Sequence, residues 1–154
     1  MKLNYYTDGA CKGNGTEENK GACGFILFDE YDNELARDCD GEFQTTNQRQ
    51  ELFGVIMACR HSAQYDDGFT EINIFSDSAY VINCYSQRWY INWQTNGWKN
   101  SKKEPVSNVE LWKELIPFFG KSNYNFIKVK GHSNNFKNNL VDEMVQTKAA
   151  NLKR

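Results

Sequence analysis

Four carboxylates stand where they could hold metal ions instead of simply facing water: Asp8, Glu51, Asp77 and Asp142. Asp8 closes an aromatic-rich strand pattern in the string YTDG, and Asp77 closes a β-branched one in FSDS. Glu51 and Asp142 each fall in the opening turns of a segment with helical apolar spacing, on the border of its apolar stripe. If the strands carrying Asp8 and Asp77 pair in parallel, both acids reach the carboxyl edge of a sheet, where open α/β folds gather their ligands. Two helices that start at that edge can deliver Glu51 and Asp142 to the same point. Four carboxylates so close raise one another's pKa values unless cations neutralise them. An all-oxygen donor set suits Mg2+ or Mn2+. Two such ions ~4 Å apart would activate a water and steady the leaving oxygen of an in-line phosphoryl displacement. Any one of these acids taken alone is more simply explained as a cap, because Asp favours N-caps and acids suit helix starts, although Glu51 and Asp142, bordering apolar stripes, fit that explanation less well. Spacing by itself leaves both explanations open.

The elements that must position these acids follow from periodicity and turn residues. Residues 3–11 and 22–28 have strand patterns, separated by the glycine-rich loop GNGTEENKG. A turn at Tyr31, Asp32 and Asn33 leads to a polar strand at about 34–43, so three strands form an antiparallel meander. A long helix follows, capped by Thr46 or Asn47, with Gln50 placed as in a capping box. Leu52, Val55, Ile56, Cys59 and Ala63 form its buried stripe. Residues 71–76 (EINIFS) form a short strand, and a helix starts near Ser78. Residues 89–96 suit a short aromatic helix. The next helix starts after Ser107 or Asn108 and buries Val109, Trp112, Ile116 and Phe119, with Pro117 kinking it or ending it early. A last strand at 124–130 precedes a last helix at 138–150, with Leu140, Val141, Met144 and Val145 inside. The order β-β-β-α-β-α-α-α-β-α implies an α/β fold, a mixed five-stranded sheet (three antiparallel strands plus two parallel) flanked by helices.

Composition sets the remaining bounds. A chain of 154 residues, 40% hydrophobic and 25% charged, fits one globular domain with a core of its own. The expected domain spans 1–152, with no accessory domain. No apolar run is long enough to cross a bilayer, and the start MKLNYYTDGA has no signal-peptide pattern. Five scattered cysteines without a CxxC pair suggest reduced thiols and a cytoplasmic location. The net charge of −2 argues against a nucleic-acid partner until its distribution is considered. Residues 29–42 hold seven acids and one arginine, whereas 86–103 hold Arg88, Lys99, Lys102 and Lys103 and no acid. Trp89, Trp93 and Trp98 share that second segment. Cations interleaved with aromatics suit a nucleic-acid strand, through phosphate charge and stacking. Trp89 and Trp93, four apart, equally suit a helix face packed into the domain. A monomer is expected, since no long apolar stripe is left over.

The strings TDGACKGN (7–14), TNQRQE (46–51), SDSAYV (76–81), WYINWQTNGWK (89–99), PVSNVELW (105–112) and VKGHSNNFKNNLVDE (129–143) resemble successive motifs of type 1 ribonuclease H, in that family's order and at similar spacing. The resemblance implies a ribonuclease H-like fold and an endonuclease that cuts the RNA strand of RNA–DNA hybrids, leaving 3′-hydroxyl and 5′-phosphate ends. It implies that Asp8, Glu51, Asp77 and Asp142 are catalytic and hold two Mg2+ ions, with Mn2+ as a substitute. His132, ten residues before Asp142, matches the family's loop histidine. It lies in a polar loop, and an unperturbed pKa near ~6.5 suits proton transfer.

By the same resemblance, residues 86–103 form a handle, or basic protrusion, in which Trp89, Trp93 and Lys99 meet the DNA strand. Gln94, Thr95 and Asn96 stand where lysines or arginines are frequent, so the handle is expected to bind with a small salt dependence. Thr46 and Asn108 would hold a DNA-strand phosphate, and Asn14, Asn47 and Gln48 would contact nucleotides near the cut. Gln44 replaces a frequent basic residue, which weakens that phosphate pocket. For each amide, capping or turn formation is a competing explanation. Two alternatives differ in kind. A 3′–5′ exonuclease of related fold would carry D-x-E at its first strand, where this chain has Asp8-Gly9-Ala10. A non-catalytic hybrid-binding module would be expected to lose acids, and all four are present. No protein partner is evident.

Overall fold

A computed structural model describes residues 1–13, 19–130 and 135–153. In chain order the elements are β1 (Lys2–Lys12), β2 (Lys20–Asp29), β3 (Glu34–Phe43), α1 (Asn47–Ser62), β4 (Glu71–Ser76), α2 (Ala79–Gln87), α3 (Trp89–Asn96), α4 (Val109–Phe119), β5 (Tyr124–Lys128) and α5 (Phe136–Asn151). The strands form one sheet in the order β3-β2-β1-β4-β5. β1 pairs antiparallel with β2, and β2 with β3, while the β1–β4 and β4–β5 pairs are parallel. The mixed five-stranded α/β sheet expected from the element order is therefore what forms.

Strand alternation divides the core into two layers. On one face Leu3, Tyr5, Phe25, Leu27, Ile72 and Ile74 pack against Leu52, Val55, Ile56 and Cys59 of α1 and against α2 and α4. On the other, Tyr6, Ala22, Ile26 and Phe28 pack against Val141, Val145 and Ala149 of α5. Each large side chain fully buried in these layers contributes ~1.5–3 kcal/mol. Trp112 is fully buried, and its indole N–H donates to the Tyr80 hydroxyl at 3.0 Å.

Several local expectations are corrected. Thr46 caps α1, accepting from the Arg49 N–H at 3.1 Å, but Gln50 does not complete a capping box. Its amide instead donates to Glu42 and Thr45, because tertiary partners lie closer than its own helix end. Ala63 is the exposed C-cap of α1 and no part of the buried stripe. α4 continues through Pro117 to Phe119. The proline removes a single bond to the carbonyl of Lys113, a residue exposed to water, so the last turn survives. Leu111 and Leu115 fill the core where Val109 and Ile116 were expected, and those two are half-buried. α5 starts two residues early, at Phe136, because the Asn135 side chain accepts from the Asn138 N–H at 3.1 Å. β5 ends at Lys128, although the Val129 N–H still reaches the Ser76 carbonyl at 2.9 Å. All five cysteines are free thiols. Among the described residues, no helix is long and apolar enough to cross a membrane.

Candidate active site

The parallel register settles where two of the four acids sit. Lys2 is level with Glu71 and Tyr6 with Phe75, so the same offset places Asp8 level with Asp77. Asp8 lies within β1 just past its last pair with β4, and Asp77 directly follows β4, so both stand at the edge where the parallel pairing ends. There β1 begins to part from β4, and the Thr7 hydroxyl donates to the Phe75 carbonyl at 2.9 Å. Alternation turns Asp8 to the same face as Tyr6, the face covered by α5.

Two glycines bring α1 to the same place. A Cβ added at Gly9 would stand 2.2 Å from the Gln50 carbonyl carbon, and one at Gly54 would stand 2.7 Å from the Asp8 carbonyl oxygen. The helix backbone thus rests directly on the β1 backbone at Asp8 and Gly9, which sets Glu51 beside the strand end. From the opposite face, the apolar contacts of Val141 and Val145 seat α5 so that Asp142 reaches Asp8. Three elements from separate parts of the chain and the end of β4 thereby converge.

The electrostatics match this convergence. Asp8 is 7% exposed, and its pKa is pushed up to about 9. Burial is the largest cause, followed by the charge of Asp77 and a hydrogen bond shared with Asp142. The Gly9 N–H, donating to Asp8 Oδ1 at 2.9 Å, opposes the rise. Glu51 is also raised, by burial first and then by the charge of Asp77, while the nearby Ser78 hydroxyl pulls it back. Ser78 itself is buried and caps α2, accepting from the Val81 N–H at 3.2 Å. All four acids therefore belong to one interacting set. No group of three or more His, Cys, Asp or Glu side chains among the described residues is already arranged to hold a metal ion. The donor chemistry nevertheless fits a hard divalent cation: oxygen ligands only, with Asp8 and Glu51 largely withdrawn from water and both raised by burial and by the charge of Asp77. One turn before Asp142, the buried Asn138 Oδ1 has no hydrogen-bond partner among the described residues.

Thr46 and Gln48 are exposed on the first turn of α1. Asn47 is partly engaged, because its Oδ1 accepts from the Cys11 N–H at 2.8 Å and ties the end of β1 to α1. Asn108 precedes α4 in the left-handed region (φ 59°) and makes no side-chain cap, so its amide is available to a ligand. His132 and Asn14 lie outside the described residues.

The segment 86–103 contains α3, whose aromatic side chains pack against the core layer of α1, α2 and α4. α3 has no fully buried residue. Trp93 packs its ring 5.4 Å from that of Trp112, and Trp89 and Trp98 each lie 6.3 Å from Trp93. Trp89 and Trp93 lean on the core, as a packed helix face would, and also line an open groove with Asn92, Asn96, Lys99 and Asn100. Asn96 and Asn100 shape the loop itself, since their Oδ1 atoms accept from the N–H groups of Lys99, Lys102 and Glu104. Lys99 remains exposed. Inspection of acids and amides missed Gly9, Gly54 and Ser78. An isolated glycine inside a helical apolar stripe, as at Gly54, is the signal that close packing leaves in a sequence.

A family model described as RNase H matches residues 1–150. A ribonuclease H of Syntrophomonas wolfei is 46% identical over 141 residues, covering 92% of this chain and 91% of that protein. A ribonuclease H of Clostridium botulinum is 42% identical over 144 residues, covering 93% and 92%. The solution structure of the prototype foamy virus ribonuclease H domain superposes with a TM-score of 0.76 at 22% identity, over 96% of this chain and 94% of that one, a likeness of fold. Motif order, sheet topology and sequence identity over nearly the whole length agree, and the chain belongs to the ribonuclease H family.

Proposed function

We propose that this chain is an endoribonuclease that hydrolyses the RNA strand of RNA–DNA hybrids, with Asp8, Glu51, Asp77 and Asp142 as its catalytic carboxylates. One observation carries the proposal: four acids, carried by β1, α1, the end of β4 and α5, meet at one edge of the sheet, where burial and the charge of Asp77 raise both Asp8 and Glu51. Family membership supports the substrate class, since the relatives in S. wolfei and C. botulinum are ribonucleases H.

The same four residues would hold two divalent cations, Mg2+ with Mn2+ as a substitute, which when bound supply a water activated at neutral pH and charge stabilisation for the departing oxygen. Asp8, which faces the charge of Asp77 and shares a hydrogen bond with Asp142, would have to be deprotonated to serve as a ligand to such a cation. Glu51 is held at its height by the backbone contact at Gly9. His132 is assigned to proton transfer at the cleavage site. The products carry 3′-hydroxyl and 5′-phosphate ends. Asn14, Asn47 and Gln48 face nucleotides near the cut, and Thr46 with Asn108 holds a DNA-strand phosphate. Trp89, Trp93 and Lys99 receive the DNA strand in the handle groove. Selection of RNA over DNA rests on the 2′-hydroxyl. The catalytic unit spans 1–152 with its handle at 86–103, working as a cytoplasmic monomer.

The test is incubation with end-labelled hybrid, duplex RNA and duplex DNA, with and without Mg2+ or Mn2+. Internal cuts confined to the RNA of the hybrid and dependent on the cation are expected. Stepwise shortening from 3′ ends would mark an exonuclease, and intact hybrid with tight binding would mark a non-catalytic module.

A further inference from the structure

Two arginine–glutamate pairs join α1 to α4. Far from the carboxylates, Arg60 Nη2 donates to Glu114 Oε1 at 2.6 Å. At the near end, Arg49 Nε donates to Glu42 Oε1 at 2.6 Å and Nη1 to Glu110 Oε1 at 2.7 Å. Glu42 Oε1 also accepts from the Thr45 hydroxyl and the Gln50 amide, so Arg49 is anchored at one end to a dense network. Partly exposed pairs of this kind contribute little to stability. What they do fix is geometry. The planar guanidinium reaches two carboxylates through different nitrogens in set directions, which a lysine ammonium does not reproduce.

The place of this bridge gives it a consequence. Arg49 sits between Thr46, whose hydroxyl accepts its backbone N–H, and Glu51, two residues on. Glu110 sits two residues after Asn108, on the helix whose Trp112 supports Trp93 of the handle. We propose that Arg49 is a positioning residue for nucleic-acid binding: by bridging Glu42 and Glu110 it sets the gap between the first turn of α1 and the start of α4, and so the spacing between the carboxylate centre and the handle. The inference rests on the hybrid-cleaving function proposed above. Arg49 touches no reacting atom and acts through Thr46, Asn108 and the handle.

The experiment compares Arg49→Lys, Glu110→Gln, their double variant and Arg60→Gln with the unaltered chain. Michaelis kinetics are measured on a hybrid long enough to meet both carboxylates and handle, and on one that covers the carboxylates alone. On the long hybrid, Arg49→Lys and Glu110→Gln should each raise KM about tenfold, the loss of roughly one charge-assisted contact, with kcat within about twofold. The double variant should be no worse than the worse single one, since both remove the same bridge. The short hybrid should show little change. Arg60→Gln should lower Tm by about as much as Arg49→Lys does without moving KM, which separates positioning from mere helix attachment. An unchanged KM in Arg49→Lys, an equal rise in Arg60→Gln, or a loss confined to kcat overturns the proposal. If the unaltered chain leaves hybrids whole, the proposed function fails and the positioning role fails with it; if it cleaves while the Arg49 and Glu110 variants keep its KM, only the positioning role fails.

Discussion

Replacing Asp8 by Asn should stabilise the protein while abolishing its activity. Asp8 is 7% exposed, and burial, Asp77 and Asp142 together push its pKa from 3.8 up to about 9. A carboxyl whose folded-state pKa lies above its unfolded value contributes stability that is present below the unfolded pKa and is lost as pH rises towards the folded one. Its cost therefore grows between about pH 4 and pH 9 at ~1.4 kcal/mol per pH unit, which sets a ceiling near ~4 kcal/mol at pH 7. Solvent relaxation around the site lowers that figure, and a gain of ~2–4 kcal/mol is expected for the neutral, nearly isosteric amide. The assay is urea unfolding in a chelator at pH 5, 7 and 8.5. Asp8→Asn should have the higher midpoint at every pH, with a margin that widens as pH rises. Added Mg2+ should stabilise the unaltered chain and leave the variant nearly unchanged. Equal stability at pH 7, or a margin that narrows with rising pH, would refute the idea that these carboxylates repel one another at a shared site.

Gly54→Ala sets two effects against each other: helix propensity gains ~1 kcal/mol, while the new Cβ stands 2.7 Å from the Asp8 carbonyl oxygen. The contact should win, lowering kcat about 10²-fold through a displacement of Glu51 of order 1 Å; full activity with raised Tm would contradict the packing argument. In the handle, Arg88, Lys99, Lys102 and Lys103 are all exposed, and four phosphate contacts imply a log Kd against log salt slope of magnitude about 4. A magnitude of 8 or more, measured by anisotropy, would mean that the main phosphate contacts lie elsewhere. His132→Ala should slow turnover by roughly 10²-fold with little change in KM, and unaltered kinetics would remove that residue from proton transfer.

Element order, sheet topology and the level placement of Asp8 and Asp77 were legible in the sequence because strand ends, turn residues and apolar period all agree there. Helix ends were harder. Asn135 starts α5 two residues before the apolar stripe does, because a cap is a local side-chain bond with no periodic signature. Pro117 belongs to a helix because the bond it removes is one that water replaces. Gln50 looked like a capping residue, yet Glu42, brought up from β3, is the better partner, and nothing local announces it. The amides divide on the same principle. Asn47, Asn96 and Asn100 have backbone partners made available by tertiary or loop structure, whereas Asn108 does not cap its helix because its backbone is left-handed. The closeness of α1 to β1 depends on Gly9 and Gly54, residues that carry no chemistry and so escape a search for chemistry.

The central claim, that four dispersed acids act as one cation-dependent centre on an RNA–DNA hybrid, is tested most directly by measuring cleavage and hybrid affinity together on Asp77→Asn. Its kcat should fall by at least ~10³-fold while the hybrid Kd stays within about threefold, the pattern of an interaction made only in the transition state. Substantial cleavage by this variant in Mg2+ or Mn2+ would contradict the account.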